Sequence, residues 1–171
     1  MHIFPDLTVL ETLQAAVASR LGRGTRLFAS LAGDRQVQEQ ALEVAQLFGL
    51  ADKRHAASKH LPQGDKKLLD VASAFALQPQ VILLDEPTSG VSTAEKHAVM
   101  KTLVGAARTA GVDAIILVEH DMDLVASYSH RIIALSEGRV LADLPPATFF
   151  ADPVIIETVV GKRRRTSEAG R

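Results

Sequence analysis

The sequence predicts an α/β protein in which a helical first half precedes two parallel strands joined by a helix. Three observations carry that reading. Apolar residues recur at helical spacing through the first half of the chain. Two short, continuous, β-branched runs follow, Val81-Ile82-Leu83-Leu84 and Ala114 to Val118, each bounded by turn residues. A helical stretch of crossover length separates those runs, which makes a βαβ unit with parallel, buried strands.

The first helix follows Phe4-Pro5-Asp6, with Val9, Leu10, Leu13, Ala16 and Val17 on one face. Asp6 or Thr8 caps it, and Gly22 and Gly24 end it. A second helix is predicted from Asp34 to near Gly49, burying Val37, Ala41, Val44, Ala45 and Phe48. Ala51 to His60 reads as a polar connector. The third helix spans about Asp65 to Leu77, with Leu68, Leu69, Ala72, Phe75 and Ala76 inward, and Gln78-Pro79-Gln80 breaks it.

The strand Val81 to Leu84 comes next. After the turn Thr88-Ser89-Gly90, a helix over Thr93 to Thr109 ends at Gly111, and the strand Ala114 to Val118 follows. Beyond it the pattern predicts a short helix at Met122 to Tyr128. A hairpin of Arg131 to Leu135 with Arg139 to Leu144 turns at Ser136-Glu137-Gly138. Two short helices lie near Ala147 to Ala151 and Val154 to Val160. Three regions result: a helical subdomain at 1–80, a core with C-terminal hairpin and helices at 81–161, and a basic polar tail at 162–171 that opens with Lys162-Arg163-Arg164-Arg165.

Composition excludes several classes. The 171 residues carry 19 basic and 20 acidic side chains, a formal net charge of −1 that argues against a dedicated nucleic-acid binder. Hydrophobic residues make up 47% and charged residues 23%, as in a soluble globular protein. No cysteine is present, which removes disulfides, thiolate metal sites and a cysteine nucleophile. The apolar runs fall far short of the roughly 18 residues that span a bilayer. No basic stretch precedes an apolar one at the N-terminus, so a cytoplasmic protein is expected. The remaining histidines, His2, His55, His60, His97 and His130, lack ligand spacing.

The chemistry concentrates at the strand ends. One strand runs into Asp85-Glu86-Pro87 and the other into Glu119-His120-Asp121. In an open parallel sheet, ligands bind beyond the carboxyl ends of the strands. That rule predicts Asp85, Glu86 and His120 at one edge. A strand-end acid can hold Mg²⁺, which prefers oxygen ligands. The next carboxylate can orient or deprotonate a water, and an imidazole can donate to a phosphate oxygen, as nucleotide hydrolysis requires. The plain alternative is a strand ending in acids that cap the following helix.

Val81 to Ser92 resembles the Walker B motif and D-loop of ABC-type ATPases, and Leu117 to Met122 resembles their switch-histidine segment. Leu61-Pro62-Gln63-Gly64-Asp65 stands where the family has its Leu-Ser-Gly-Gly-Gln signature, and Phe4 to Glu11 resembles the stretch just after the Q-loop. Asp152 to Glu157 with Val160-Gly161 is similar to the C-terminus of subunits serving branched-chain (hydrophobic) amino acid importers.

The resemblance implies a P-loop NTPase-like (ABC ATPase) partial domain using ATP and Mg²⁺. Asp85 would place the metal, Glu86 would polarise the attacking water and His120 would contact the γ-phosphate. Leu61, Pro62, Gln63, Gly64 and Asp65 would face the nucleotide of a second subunit. The implied partners are transmembrane permease subunits, a second ATP-binding subunit in a homo- or heterodimer and, indirectly, a periplasmic or extracellular substrate-binding protein. The implied location is peripheral, on the cytoplasmic face of the cell membrane, or soluble in the cytoplasm if isolated.

Two departures qualify the resemblance. No Gly-x-x-x-x-Gly-Lys-Ser/Thr string, the family's Walker A loop, occurs in the chain, and the Q-loop glutamine has no counterpart. Backbone N–H groups and the lysine of that loop hold the phosphates. The chain is therefore expected to correspond to the C-terminal portion of a nucleotide-binding domain, inactive by itself. In the signature, Pro62 replaces serine and Asp65 replaces glutamine; Asp65 is read either as a helix N-cap or as a residue facing nucleotide. The leading expectation is an importer ATPase subunit. The alternative is a non-catalytic interaction module that docks on a membrane partner or second ATPase without binding nucleotide.

Overall fold

Capping chemistry fixes where the first helices begin. In the computed structural model, which describes residues 4–23 and 33–160, helix α1 covers Val9–Arg20. Thr8, not Asp6, caps it in a reciprocal box. The Glu11 N–H donates to Thr8 Oγ1 at 3.2 Å, and the Thr8 N–H donates to Glu11 Oε2 at 2.8 Å. These donors, the backbone N–H first and then the Thr8 hydroxyl, hold the Glu11 carboxyl below the usual carboxylate range. Helix α2, Arg35–Leu47, is capped by Asp34, which accepts from the Val37 N–H.

The stretch expected to be a plain polar connector is more ordered than that. It forms two 3₁₀ turns, Ala51–Lys53 and Ser58–His60. It also docks on the entry to α1. The Val9 N–H donates to Ala56 O at 3.1 Å, and both the N–H and the hydroxyl of buried Ser58 donate to Leu7 O. Backbone groups with no helical partner are satisfied there by a neighbouring loop.

Helix α3 covers Gln63–Phe75 and corrects one expectation. It begins two residues before Asp65, with Pro62 in the N-cap position at φ −55° and no side-chain cap. Asp65 lies inside the first turn and pairs with Lys53, so it is not the N-cap. A proline before the first turn has no N–H to leave unpaired, which lets the helix start early. The acid still complements the positive helix end.

Strand β1, Val81–Asp85, pairs in parallel with β2, Ala114–Val118, and helix α4, Thr93–Ala110, forms the crossover. Gly111 ends α4 in the left-handed region at φ 69°. The register sets Val81 beside Ala114, Leu83 beside Ile116 and Asp85 beside Val118. One sheet face, Ile82 and Leu84 with Ile115 and Leu117, joins the core that also holds Leu103, Ala106 and Ala107 of α4.

The other face corrects the expectation of strands buried on both sides. Val81, Leu83, Ile116 and Val118 are all more than half exposed, Leu83 most of all at 69%. Side chains alternate between faces along a strand, so covering one face leaves every second residue bare. Among the described residues, no other strand pairs with β1 or β2.

The core around the helices is built from Val9, Leu13 and Val17 of α1, Val37, Ala41 and Ala45 of α2, and Leu69, Ala72 and Phe75 of α3. Phe48 and Phe75 meet edge to face at 5.1 Å between centroids.

Two compact units divide the chain, Met1–Glu119 and His120–Arg171. The second contains α5 (Met122–Tyr128), β3 (Ile132–Ser136), β4 (Arg139–Leu144), α6 (Pro146–Ala151) and α7 (Pro153–Val160). β3 and β4 form an antiparallel hairpin whose turn residues Glu137 and Gly138 both have positive φ, as a two-residue hairpin turn requires. Ile132, Ala134, Ala142, Phe149 and Ile155 make its small core. The predicted basic tail, His2 and Gly24 lie outside the described residues.

Candidate functional site

The site is built where β1 ends. The Ile82–Leu84 face anchors the strand in the core, so Asp85 and the residues after it emerge at the carboxyl edge of the sheet. Asp85 is exposed and sits in register with Val118. Glu86 is also exposed. Its N–H donates to Val118 O at 2.9 Å, which extends the parallel ladder by one bond.

Glu86 has φ 44°, in the left-handed region that a non-glycine residue enters at a cost. Buried Pro87 follows, and the Ser89 N–H returns to Glu86 O at 3.0 Å. The chain thus reverses directly after the carboxylate, and Glu86 is held at the tip of the edge rather than along the strand. Such a backbone departure is common where a side chain must be presented.

Leu61 to Asp65, the segment that resembles the signature, comes to the same turn. Leu61 and Gly64 are buried, while Pro62 and Gln63 are exposed. A Cβ added at Gly90, whose φ is 77°, would stand 3.6 Å from Gln63 Nε2. A Cβ at Gly64 would stand 3.6 Å from Val99 and 4.0 Å from Val91. Lys67, one turn into α3, donates from Nζ to Glu86 O at 3.3 Å. Leu61 to Asp65 and Asp85 to Val91 are therefore neighbours within one unit. A shallow depression between α3 and α4, lined by Pro62, Gly64, Asp65, Leu68 and Glu95, adjoins them.

His120 is exposed and opens the second unit, two residues beyond the end of β2. Glu119 precedes it and accepts a hydrogen bond from Thr88 Oγ1 at 2.8 Å. Thr88 is 1% exposed. Sequence alone assigns no role at the site to Lys67, Thr88 or Glu119. As a sequence feature Thr88 is only a turn residue, but its place three residues past the end of β1 is a signal that it can reach the neighbouring strand end.

Among the described residues, no three His, Asp or Glu side chains gather as a metal cage. Asp85 instead offers exposed hard oxygen at the sheet edge. That suits Mg²⁺, which keeps several waters and takes one or two carboxylates together with substrate phosphates.

Comparison with known proteins agrees with this architecture. The fold is shared with the ADP conformation of MJ1267, an ATP-binding cassette of an ABC transporter. The TM-score is 0.73 at 19% identity, over 92% of this chain and 64% of that one. CbiO1 of Clostridium perfringens, part of the ABC transporter complex cbiONQ, matches with a TM-score of 0.72 at 24% identity, over 92% and 58%. The molecule is thus an α/β protein with the ATP-binding-cassette form of the P-loop NTPase fold.

A sequence profile described as ABC transporter matches residues 1–89. The chain belongs to the ABC transporter family. It is 30% identical over 169 residues to the high-affinity branched-chain amino acid transport ATP-binding protein LivG of Escherichia coli, covering 95% of this chain and 65% of LivG. It is 32% identical over 124 residues to VV2_1533 of Vibrio vulnificus, covering 72% of this chain and 21% of that protein. The chain spans about a fifth to two thirds of the length of these curated relatives.

Proposed function

We propose that the chain supplies the signature, Walker B and switch-histidine portion of an ATP-binding subunit of an ABC importer for branched-chain amino acids. The observation that carries the reading is the pair Asp85-Glu86 at the carboxyl end of a parallel strand, with Glu86 raised on a left-handed turn. The substrate class rests on the likeness to LivG. No helix among the described residues is long and apolar enough to cross a membrane, and the proposed partners in transport are transmembrane permease subunits. The proposed location is peripheral, on the cytoplasmic face.

In this reading Asp85 would hold Mg²⁺, which would supply positive charge to offset the ATP phosphates. Glu86 orients and polarises the water that attacks the γ-phosphorus. The bond to the β-bridging oxygen breaks and ADP leaves. His120 donates to the γ-phosphate. Leu61 to Asp65 face the nucleotide of a second ATP-binding subunit, where the N-terminal end of α3 favours an anion. Pro62 contributes no hydroxyl there, and the Lys53 partner of Asp65 offsets the charge of the aspartate. The phosphates themselves need a Gly-Lys-Ser/Thr loop, which a joined segment must bring.

The test joins the chain to a segment carrying that loop and measures ATP binding beside steady-state hydrolysis. Glu86→Gln keeps the shape and removes the charge. Binding should persist while hydrolysis falls by about 10²-fold or more, the scale of losing a positioned base. Asp85→Asn should weaken Mg²⁺ dependence and nucleotide retention together. Hydrolysis at the wild-type rate in Glu86→Gln would leave Glu86 a turn residue only.

A further inference from the structure

Thr88 is a buried hydroxyl at a turn where valine would fill the same space. Its Oγ1 donates to Glu119 Oε1 at 2.8 Å, across 31 residues of sequence. A buried hydroxyl is costly unless it finds a partner, and a carboxylate partner gives a stronger, more directional bond than a neutral one. Thr88 lies two residues after Glu86, and Glu119 is the first residue beyond β2 and the last before His120. A second bond joins the same two segments, from the Glu86 N–H to Val118 O at 2.9 Å. A third, from Lys67 Nζ to Glu86 O, secures the same turn to α3.

We propose that Thr88 and Glu119 are positioning residues: their hydrogen bond locks the Glu86 turn to the exit of β2, so that the two segments hold one geometry. The backbone bond of Glu86 fixes only the start of the turn to β2, and the residues after Glu86 have no further backbone bond to that strand. A side-chain bond displaced along the turn adds the tie that the backbone lacks. What the lock positions, a water-orienting Glu86 and the chain leading into His120, rests on the reading under Proposed function. The lock itself is a property of this chain alone.

Amide hydrogen exchange on the 171-residue chain tests it. The Glu86, Ser89 and Val91 amides are reporters, since each donates within the turn or to β2. Thr88→Val should speed exchange at all three by about tenfold, with α1 and α2 amides unchanged, as expected for local opening. Thr88→Ser, which keeps the hydroxyl, should restore wild-type exchange. Glu119→Leu, at a half-buried position outside the core, should reproduce Thr88→Val, and the double variant should be no worse than either single one. Unchanged exchange in Thr88→Val, or additive effects in the double variant, would overturn the lock.

In the loop-completed protein, Thr88→Val should lower kcat at unchanged KM for ATP, and Thr88→Ser should recover it. A wild-type kcat in Thr88→Val would overturn the positioning role. Absence of hydrolysis in the unsubstituted loop-completed protein would instead overturn the proposed function, and the exchange measurements would then decide the lock.

Discussion

The helices α1 to α3 and the β1–β2 sheet belong to one unit and follow opposite rules of burial. Val9, Leu13, Val17, Val37, Ala41, Leu69 and Ala72 are all sealed from solvent at 0% exposure. On the outer sheet face, the equally apolar Val81, Leu83, Ile116 and Val118 stand open. A helix needs only one stripe covered, and three helices leaning on one another cover three stripes. A parallel sheet carries apolar side chains on both faces and needs two layers over it. One helical layer therefore completes the helices and half-completes the sheet.

Substitutions on the two sides should separate accordingly. Leu69→Ala empties a fully enclosed site and should cost about 2–5 kcal/mol, read as a drop in chemical or thermal unfolding midpoint. A loss below the lower figure would mean that the helical core is looser than its burial suggests.

The cap of α1 gives a smaller effect with a pH signature. Thr8→Ala should cost about 0.5–2 kcal/mol at neutral pH. Glu11 has its carboxyl pKa depressed in the folded chain, so its contribution is present above the ordinary carboxylate range and is lost as pH falls through the folded value. The difference in melting temperature between wild type and Thr8→Ala should therefore shrink in acid. A constant gap down to the acid range would deny the Glu11 carboxylate its part in the box.

The smallest change in stability belongs to the sheet. Leu83→Lys, on the open face, should move stability by about 0.5 kcal/mol or less. Its visible effect should be on association, because an apolar patch beside strand edges that are unpaired among the described residues favours contact between molecules. Sedimentation at rising concentration should show the wild-type chain associating and Leu83→Lys associating less. Equal association of both would remove the outer face from the contact.

Those same two regions mark what the sequence made legible. Periodicity located α1, α2 and α3 because their apolar faces repeat at a period that burial itself imposes. The continuous runs at Val81 and Ala114 gave both strands, but a run apolar on both faces says nothing of how many layers cover it. Hence burial of both faces was expected and one is found. Asp65 misled for a related reason. Capping preference alone favours the acid, whereas the helix is initiated by Pro62 and turns before the acid is reached. Within the candidate site, Asp85, Glu86 and Leu61 to Asp65 could be named from motif and spacing. The closeness of Gln63 to Gly90, and the reach of Lys67 and Thr88, depend on packing between segments distant in sequence, which no local pattern records.

The left-handed backbone at Glu86 has a consequence for how this chain responds to selection. Glycine at that position would adopt φ 44° freely, and asparagine more readily than glutamate. The relief is about 1–2 kcal/mol on the usual cost of that conformation for a residue with a Cβ. A library screened for heat resistance alone should therefore enrich Glu86→Gly, whereas one screened for nucleotide turnover in a loop-completed protein should purge it. If Glu86 has the role proposed for it, the residue best for the backbone and the residue best for chemistry differ at this position, and sequences recovered under the two screens should diverge first at the tip of β1.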